Sequence, residues 1–134
     1  MPEGGEEVIA DADKPADPED VLAIVKHSLE DDKAIDPVVI SLAGKTNIAD
    51  YMVVATGTSQ RHLVAMAEKL RDRLKAERAR NVSVEGAEDG GSPWLLIDAG
   101  DVIVHLFRAE TREFYDIEKL WSVAPPRRAA AGSG

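Results

Sequence analysis

Two apolar runs, Trp94 to Ile97 and Val102 to Phe107, flank Asp98-Ala99-Gly100-Asp101, where a glycine free to take positive φ can join two antiparallel strands. With Ala99 and Gly100 as the loop, position 98 faces 101, 96 faces 103 and 94 faces 105, and side-chain alternation sorts the predicted hairpin into two faces. One face carries Leu95, Ile97, Val102, Val104 and Leu106. Each such side chain is stabilised by roughly 1.5 to 3 kcal/mol on leaving water, so this face belongs to a core. The other carries Trp94, Leu96, Asp98, Asp101, Ile103, His105 and Phe107. Large apolar groups with polar tips suit a recognition surface, or a face that the chain's own loop or a second copy covers.

The remaining pattern frames this hairpin. Asp17 suits an N-cap and Pro18 a first helical position, and Val21, Ile24, Val25, Ser28 and Leu29 mark one face of a helix ending near Ala34. Val38, Ile40 and Leu42 alternate with Val39 and Ser41 in a strand. After the turn-rich Gly44 to Asn47 comes a second strand, Tyr51 to Thr56, broken by Gly57-Thr58-Ser59. Leu63, Ala67, Leu70 and Leu74 keep helical spacing to about Ala79. The cations at Arg71, Arg73, Lys75, Arg78 and Arg80 complement that helix's C-terminal dipole and read as a solvated face. Val82 to Glu85 is a short strand and Ala87 to Pro93 a loop. Phe114, Ile117, Leu120 and Trp121 then recur at helical spacing behind Thr111 as N-cap and Glu113 in the first turn. The order α-β-β-α-β-β-β-α predicts an α/β single domain over residues 17–122, a mixed β-sheet with helices mainly on one side. Met1 to Ala16, acidic and rich in Pro and Gly, and Val123 to Gly134, with Pro125-Pro126 and an Ala-Gly-Ser-Gly end, read as disordered tails.

Composition narrows the function. With 134 residues and 44% hydrophobic content the chain can bury one core and is too short for two ordinary domains. A net charge of -9 argues against a protein that must neutralise many phosphates of a duplex and favours basic protein partners. The absence of cysteine excludes a disulfide framework, a thiolate metal site and a cysteine nucleophile. The first twenty residues lack the features of a secretory signal or organelle presequence, and no segment is apolar for long enough to span a bilayer, so a cytoplasmic protein without membrane attachment is expected.

Catalytic chemistry is sought at three places. Gly57-Thr58-Ser59-Gln60-Arg61-His62 runs from a strand into a helix, where free backbone N–H groups favour phosphate, although its glycine spacing matches neither a P-loop nor a dinucleotide fingerprint. Thr58 or Ser59 acting as an ordinary helix cap is the favoured account of it. Metal-dependent nucleotidyl transfer needs carboxylates converging on a cation, but Asp98 and Asp101 sit around a turn, where Asp favours backbone hydrogen bonding. His27, His62 and His105 lie on separate elements without a partner of their kind at i+4, and no nucleophile elbow surrounds Ser59. The expectation is a protein that is not an enzyme and has no cofactor or metal. The alternative is a nucleotide-binding enzyme of nucleotidyltransferase type using the Gly57 loop.

Several ordered motifs carry a family resemblance: Thr46-Asn47-Ile48-Ala49-Asp50-Tyr51, Ala55-Thr56-Gly57-Thr58-Ser59-Gln60-Arg61-His62, Val84-Glu85-Gly86, the Trp94 to Phe107 hairpin, and Arg112 to Trp121. Together, over about Pro18 to Ser122, they closely resemble the ribosomal silencing factor family, RsfS, also called Iojap-like. The resemblance implies a fold like that of the nucleotidyltransferases without their active site. It also implies a translational repressor, acting when nutrients run short, that binds the large ribosomal subunit through its fourteenth large-subunit ribosomal protein and sterically blocks joining of the small subunit. Trp94 and Tyr115 are then expected as apolar anchors and Asp98, Asp101 and Glu118 as partners for basic side chains. Ala99 at the loop tip would permit close approach. His105, Arg112 and Trp121 complete the expected protein-binding set, each equally able to lock the closing helix onto the hairpin. Sequence-specific nucleic acid binding is not expected, and a homodimer through the Trp94 face stays open.

Overall fold

The computed structural model describes residues 17–77, 81–86 and 91–122. In chain order the elements are α1 (Pro18–Asp31), β1 (Ile35–Ser41), β2 (Tyr51–Gly57), α2 (Gln60–Ala76), β3 (Ser83–Glu85), β4 (Trp94–Asp98), β5 (Val102–Arg108), α3 (Ala109–Tyr115) and α4 (Ile117–Ser122). The expected tails, and Arg78 and Arg80, lie outside the described residues.

The strands form one mixed sheet in the order β1-β2-β5-β4-β3. The central pair β2 and β5 is parallel, and every other pairing is antiparallel. Both long helices pack on one face, where Val25, Leu29, Leu63, Met66, Leu70 and Leu74 meet Val53, Ala55, Leu95, Ile97, Val104 and Leu106 in a fully buried core. The opposite face holds a smaller cluster of Ile40, Leu42, Met52, Val54 and Phe107, closed by Ile117 and Trp121 from α4. This is the expected single α/β domain with helices mainly on one side of the sheet.

The long helices are joined by ions as well as by packing. Asp17 stands at the N-cap of α1 without a side-chain cap bond, so Pro18 sets the entry. Arg73 does not lie on a solvated face as expected. Its guanidinium donates to the Ser28 hydroxyl at 2.6 Å and to the Asp32 carboxylate at 3.3 Å, binding α2 to the end of α1. Lys69 adds a longer contact with Asp32, at 3.6 Å.

β1 starts earlier than the alternation predicts, and a bulge with Asp36 at φ 50 separates Ile35 from Val38. Pro37 explains both, because a residue without an N–H is tolerated on an edge strand, at a bulge.

The hairpin has a different register from the one expected. Leu96 faces His105, Asp98 faces Ile103 and Trp94 faces Phe107, so the two-residue loop is Gly100-Asp101, with Gly100 at φ 86. Asp98 selects this loop by accepting a hydrogen bond from the Gly100 N–H at 2.8 Å. A shift of two residues leaves every side chain on its predicted face, because side chains alternate with a period of two. It does move Ala99 from the loop tip into the core, where it is 5% exposed.

The closing segment differs more. Arg108, not Thr111, occupies the N-cap position of α3, without a side-chain cap bond, and Asp116 in the left-handed region (φ 47, ψ 47) divides the expected single helix into α3 and α4. The change of direction turns Ile117 and Trp121 inward and leaves Phe114 and Leu120 largely in solvent.

Gly57 illustrates how packing selects a glycine. A Cβ there would lie 2.6 Å from Leu63 Cδ2 and 2.9 Å from Met66 Cε, so a larger residue would have to push these side-chain ends aside where α2 approaches the end of β2. Gly57→Ala is therefore expected to destabilise the fold by about 1 to 3 kcal/mol, measured as a lower denaturant midpoint, through overpacking.

Candidate protein-binding site

The sheet face opposite the long helices is covered unevenly. The short helices α3 and α4 close it over β1, β2 and the Phe107 end of β5, while β4 and β3 are left with half-buried or exposed side chains. Trp94 marks the border. Its indole lies 4.8 Å from the Phe107 ring and 4.8 Å from the Tyr115 ring, between centroids, with both rings tilted to it. Tyr115, on the last turn of α3, is 51% exposed, while Phe107 beneath is fully buried. Two of the predicted aromatic residues thus form one outward-facing cluster on a rigid floor.

His105 orients this cluster. The Trp94 Nε1–H donates to His105 Nδ1 at 3.0 Å, which places the imidazole proton of the neutral ring on Nε2. Burial pushes the His105 imidazole down from 6.5 to about 4. In the unfolded chain the ring accepts a proton near its ordinary value, whereas in the folded chain it does so only near the lower one. The contribution to stability is complete above about pH 6.5 and is lost as the pH falls toward 4, by roughly 3 kcal/mol in total. Denaturant unfolding across this window should show that loss, and His105→Gln should flatten it.

Asp98 and Asp101 sit at the other end of the hairpin, about 13 Å from Trp94 by the strand rise. Asp98 uses one carboxylate oxygen for the turn. The Asp101 carbonyl accepts from the N–H groups of Asp50 and Tyr51, fixing the tip against the start of β2, and its side chain is half-exposed.

Arg112, Glu118 and Trp121 lock the closing helices. Arg112 binds both oxygens of Glu118 at 2.9 Å across the Asp116 break, and also donates to Thr56 Oγ1 at 2.9 Å. The hydrogen bond from Arg112 holds the Glu118 carboxyl below its ordinary range, and the same bond raises the guanidinium. Glu118 therefore spends its charge inside the fold. Trp121 packs into the smaller core, and its carbonyl accepts from the Lys45 ammonium. Ala99 is a core residue of the opposite face.

Two residues on this surface, which the sequence shows only at the end of a short strand and within the Val84-Glu85-Gly86 motif, are not among the expected protein-binding set. Glu85 and Gly86 line an open depression of 310 Å³ together with Trp94, Leu96 and His105. Their place depends on the pairing of β3 with β4, a long-range contact that no local pattern encodes.

In the Gly57 turn, Thr58, Ser59 and His62 are engaged internally, while the buried Gln60 Nε2 has no hydrogen-bond partner. Ser59 Oγ caps α2 by accepting from the His62 N–H at 3.0 Å, the Thr58 N–H donates to His62 Nδ1 at 2.9 Å, and His62 Nε2 donates to the Asp32 carbonyl at 2.8 Å. Packing against Leu63 and Met66 accounts for the glycine. Among the described residues no group of three or more His, Asp or Glu is placed to hold a metal ion, and no helix is long and apolar enough to cross a membrane.

Comparison with known proteins gives a consistent result. The family model described as "ribosomal silencing factor during starvation" matches residues 15–132. The ribosomal silencing factor RsfS of Zymomonas mobilis is 50% identical over 105 residues, 78% of this chain and 77% of that protein. The same-named protein of Bacillus subtilis is 31% identical over 105 residues, covering 78% and 87% of the two chains. A crystal structure of a Chromobacterium violaceum protein superposes with a TM-score of 0.75 at 34% identity, covering 83% of this chain and 91% of that one.

Proposed function

The chain belongs to the ribosomal silencing factor family, the Iojap-like proteins, whose name denotes the silencing of ribosomes and no class of enzyme; from this premise we propose that it represses translation by occupying the large ribosomal subunit and blocking entry of the small one. The observation that carries this reading to particular residues is the pair of half-buried Trp94 and exposed Tyr115, supported by Phe107 and His105. Rigid aromatic groups of this kind dominate protein interfaces. Asp98 and Asp101 provide an acidic rim, and the net charge of -9 suits a basic ribosomal protein. The partner in this proposal is the fourteenth large-subunit ribosomal protein, as the family resemblance implies. Arg112, Glu118 and Trp121 act by holding α3 so that Tyr115 stays beside Trp94, and His105 by aiming the indole. Ala99 supports the turn from within. No chemical step is needed, because a folded domain seated on a joining surface collides with the incoming subunit.

Binding to the purified fourteenth large-subunit protein, followed in real time at increasing ionic strength, tests the proposal. If charge steers and aromatic burial holds, salt slows association much more than it hastens dissociation. No binding at low salt would reject this partner.

A further inference from the structure

Three strands bring one residue each into a row on the half of the sheet that α3 and α4 leave open among the described residues. Glu85 of β3 faces Leu96 of β4, and Leu96 faces His105 of β5. Because paired residues share a face, this row forms a floor that runs from a carboxylate through an aliphatic group to an imidazole. The Trp94 indole stands at one side. Gly86, at φ 100, ends β3 where a Cβ would lie 2.9 Å from both the Leu95 side chain and the Trp94 carbonyl. A larger residue would not fit the backbone that shapes the depression, whose volume is 310 Å³.

We propose that this depression is a socket for a single arginine side chain of the protein partner. The inference rests on the proposed binding of a basic ribosomal protein by this face, and it specifies how one residue of that partner is read. The aliphatic stem of an arginine would lie along Leu96, and its planar head would rest against the Trp94 indole and meet the exposed Glu85 carboxylate. His105 does not oppose the cation, since its ring is neutral and its Nδ1 is occupied by Trp94. Asp98 lies further along β4 on the same face, so the surroundings are acidic. Arginine is favoured over lysine because stacking on the indole and a two-pronged bond to the carboxylate both require a planar fork.

The direct probe is N-acetyl-arginine amide, titrated into the full chain at millimolar concentrations while amide and indole N–H resonances are followed. The lysine and citrulline analogues serve as comparisons. The Trp94 indole and the Gly86 amide should shift with arginine, less with lysine, and not with the uncharged citrulline. Glu85→Gln should abolish these shifts, and as an exposed edge-strand change it leaves the fold intact. Equal shifts with citrulline, or none at Trp94 and Gly86 with arginine, would overturn the proposal. On large ribosomal subunits Glu85→Gln should weaken binding about tenfold, the range of a charge pair at an interface, whereas Glu19→Gln on α1 should not. Unchanged binding by Glu85→Gln rejects the socket and leaves the ribosomal reading standing. Failure of the unaltered protein to bind subunits rejects that reading, and the arginine titration still decides the socket.

Discussion

Trp94→Ala combined with Asp101→Lys is expected to weaken binding to the large ribosomal subunit at least about a hundredfold while the chain remains folded. The half-buried indole is the centre of the aromatic cluster, and truncating such an anchor typically costs about 2 kcal/mol or more of binding. Reversing the charge at Asp101 adds repulsion toward a basic partner and slows encounter. The two sites are separated along the hairpin by more than the distance over which neighbouring substitutions couple, so their effects should nearly add. Trp94 is only half-buried, and the core face of the hairpin is untouched, so far-ultraviolet circular dichroism and cooperative unfolding should persist. Unchanged binding by a folded double variant would remove the Trp94 face from the account.

Arg112→Ala should be the most destabilising change on the closing segment, by about 2 to 4 kcal/mol. The Arg112 side chain is only 13% exposed, and its guanidinium bonds both Glu118 oxygens and Thr56. Its removal leaves a part-buried carboxylate without its partner, the costly half of a broken ion pair. Arg112→Lys should recover little, since an ammonium cannot reproduce the paired bond across the Asp116 break. Replacing both Arg112 and Glu118 with apolar residues should cost less than Arg112→Ala alone, because no charge is then stranded. Denaturant unfolding of the three variants measures these differences. Subunit binding should fall along with stability, because Tyr115 is held beside Trp94 by the same segment.

Sequence and structure agree wherever a local pattern determines the outcome. Alternation placed Leu95, Ile97, Val102, Val104 and Leu106 in the core, and each is fully buried. Helical spacing placed Leu63, Ala67, Leu70 and Leu74 on the buried side of α2. The hairpin register was misplaced by two because both Ala99-Gly100 and Gly100-Asp101 can form a short loop, and the Asp98 side chain decides between them. Alternation is blind to such a shift. The break at Asp116 was missed because apolar spacing alone cannot report a left-handed residue, and the Arg112–Glu118 bond that spans it joins positions too far apart for helix neighbours. The place of Glu85 and Gly86 beside Trp94 is not legible in the sequence for a different reason. A three-residue strand carries almost no pattern, and its neighbours are found only when the sheet is assembled.

The central claim is tested most directly by sedimenting the tagged protein with separated ribosomal subunits, large and small in parallel, and then challenging the large-subunit complex with small subunits. Co-migration with the large subunit alone, together with loss of subunit joining, is the predicted result. Absence from the large-subunit fraction at low salt, or binding that leaves joining unimpaired, would contradict the account.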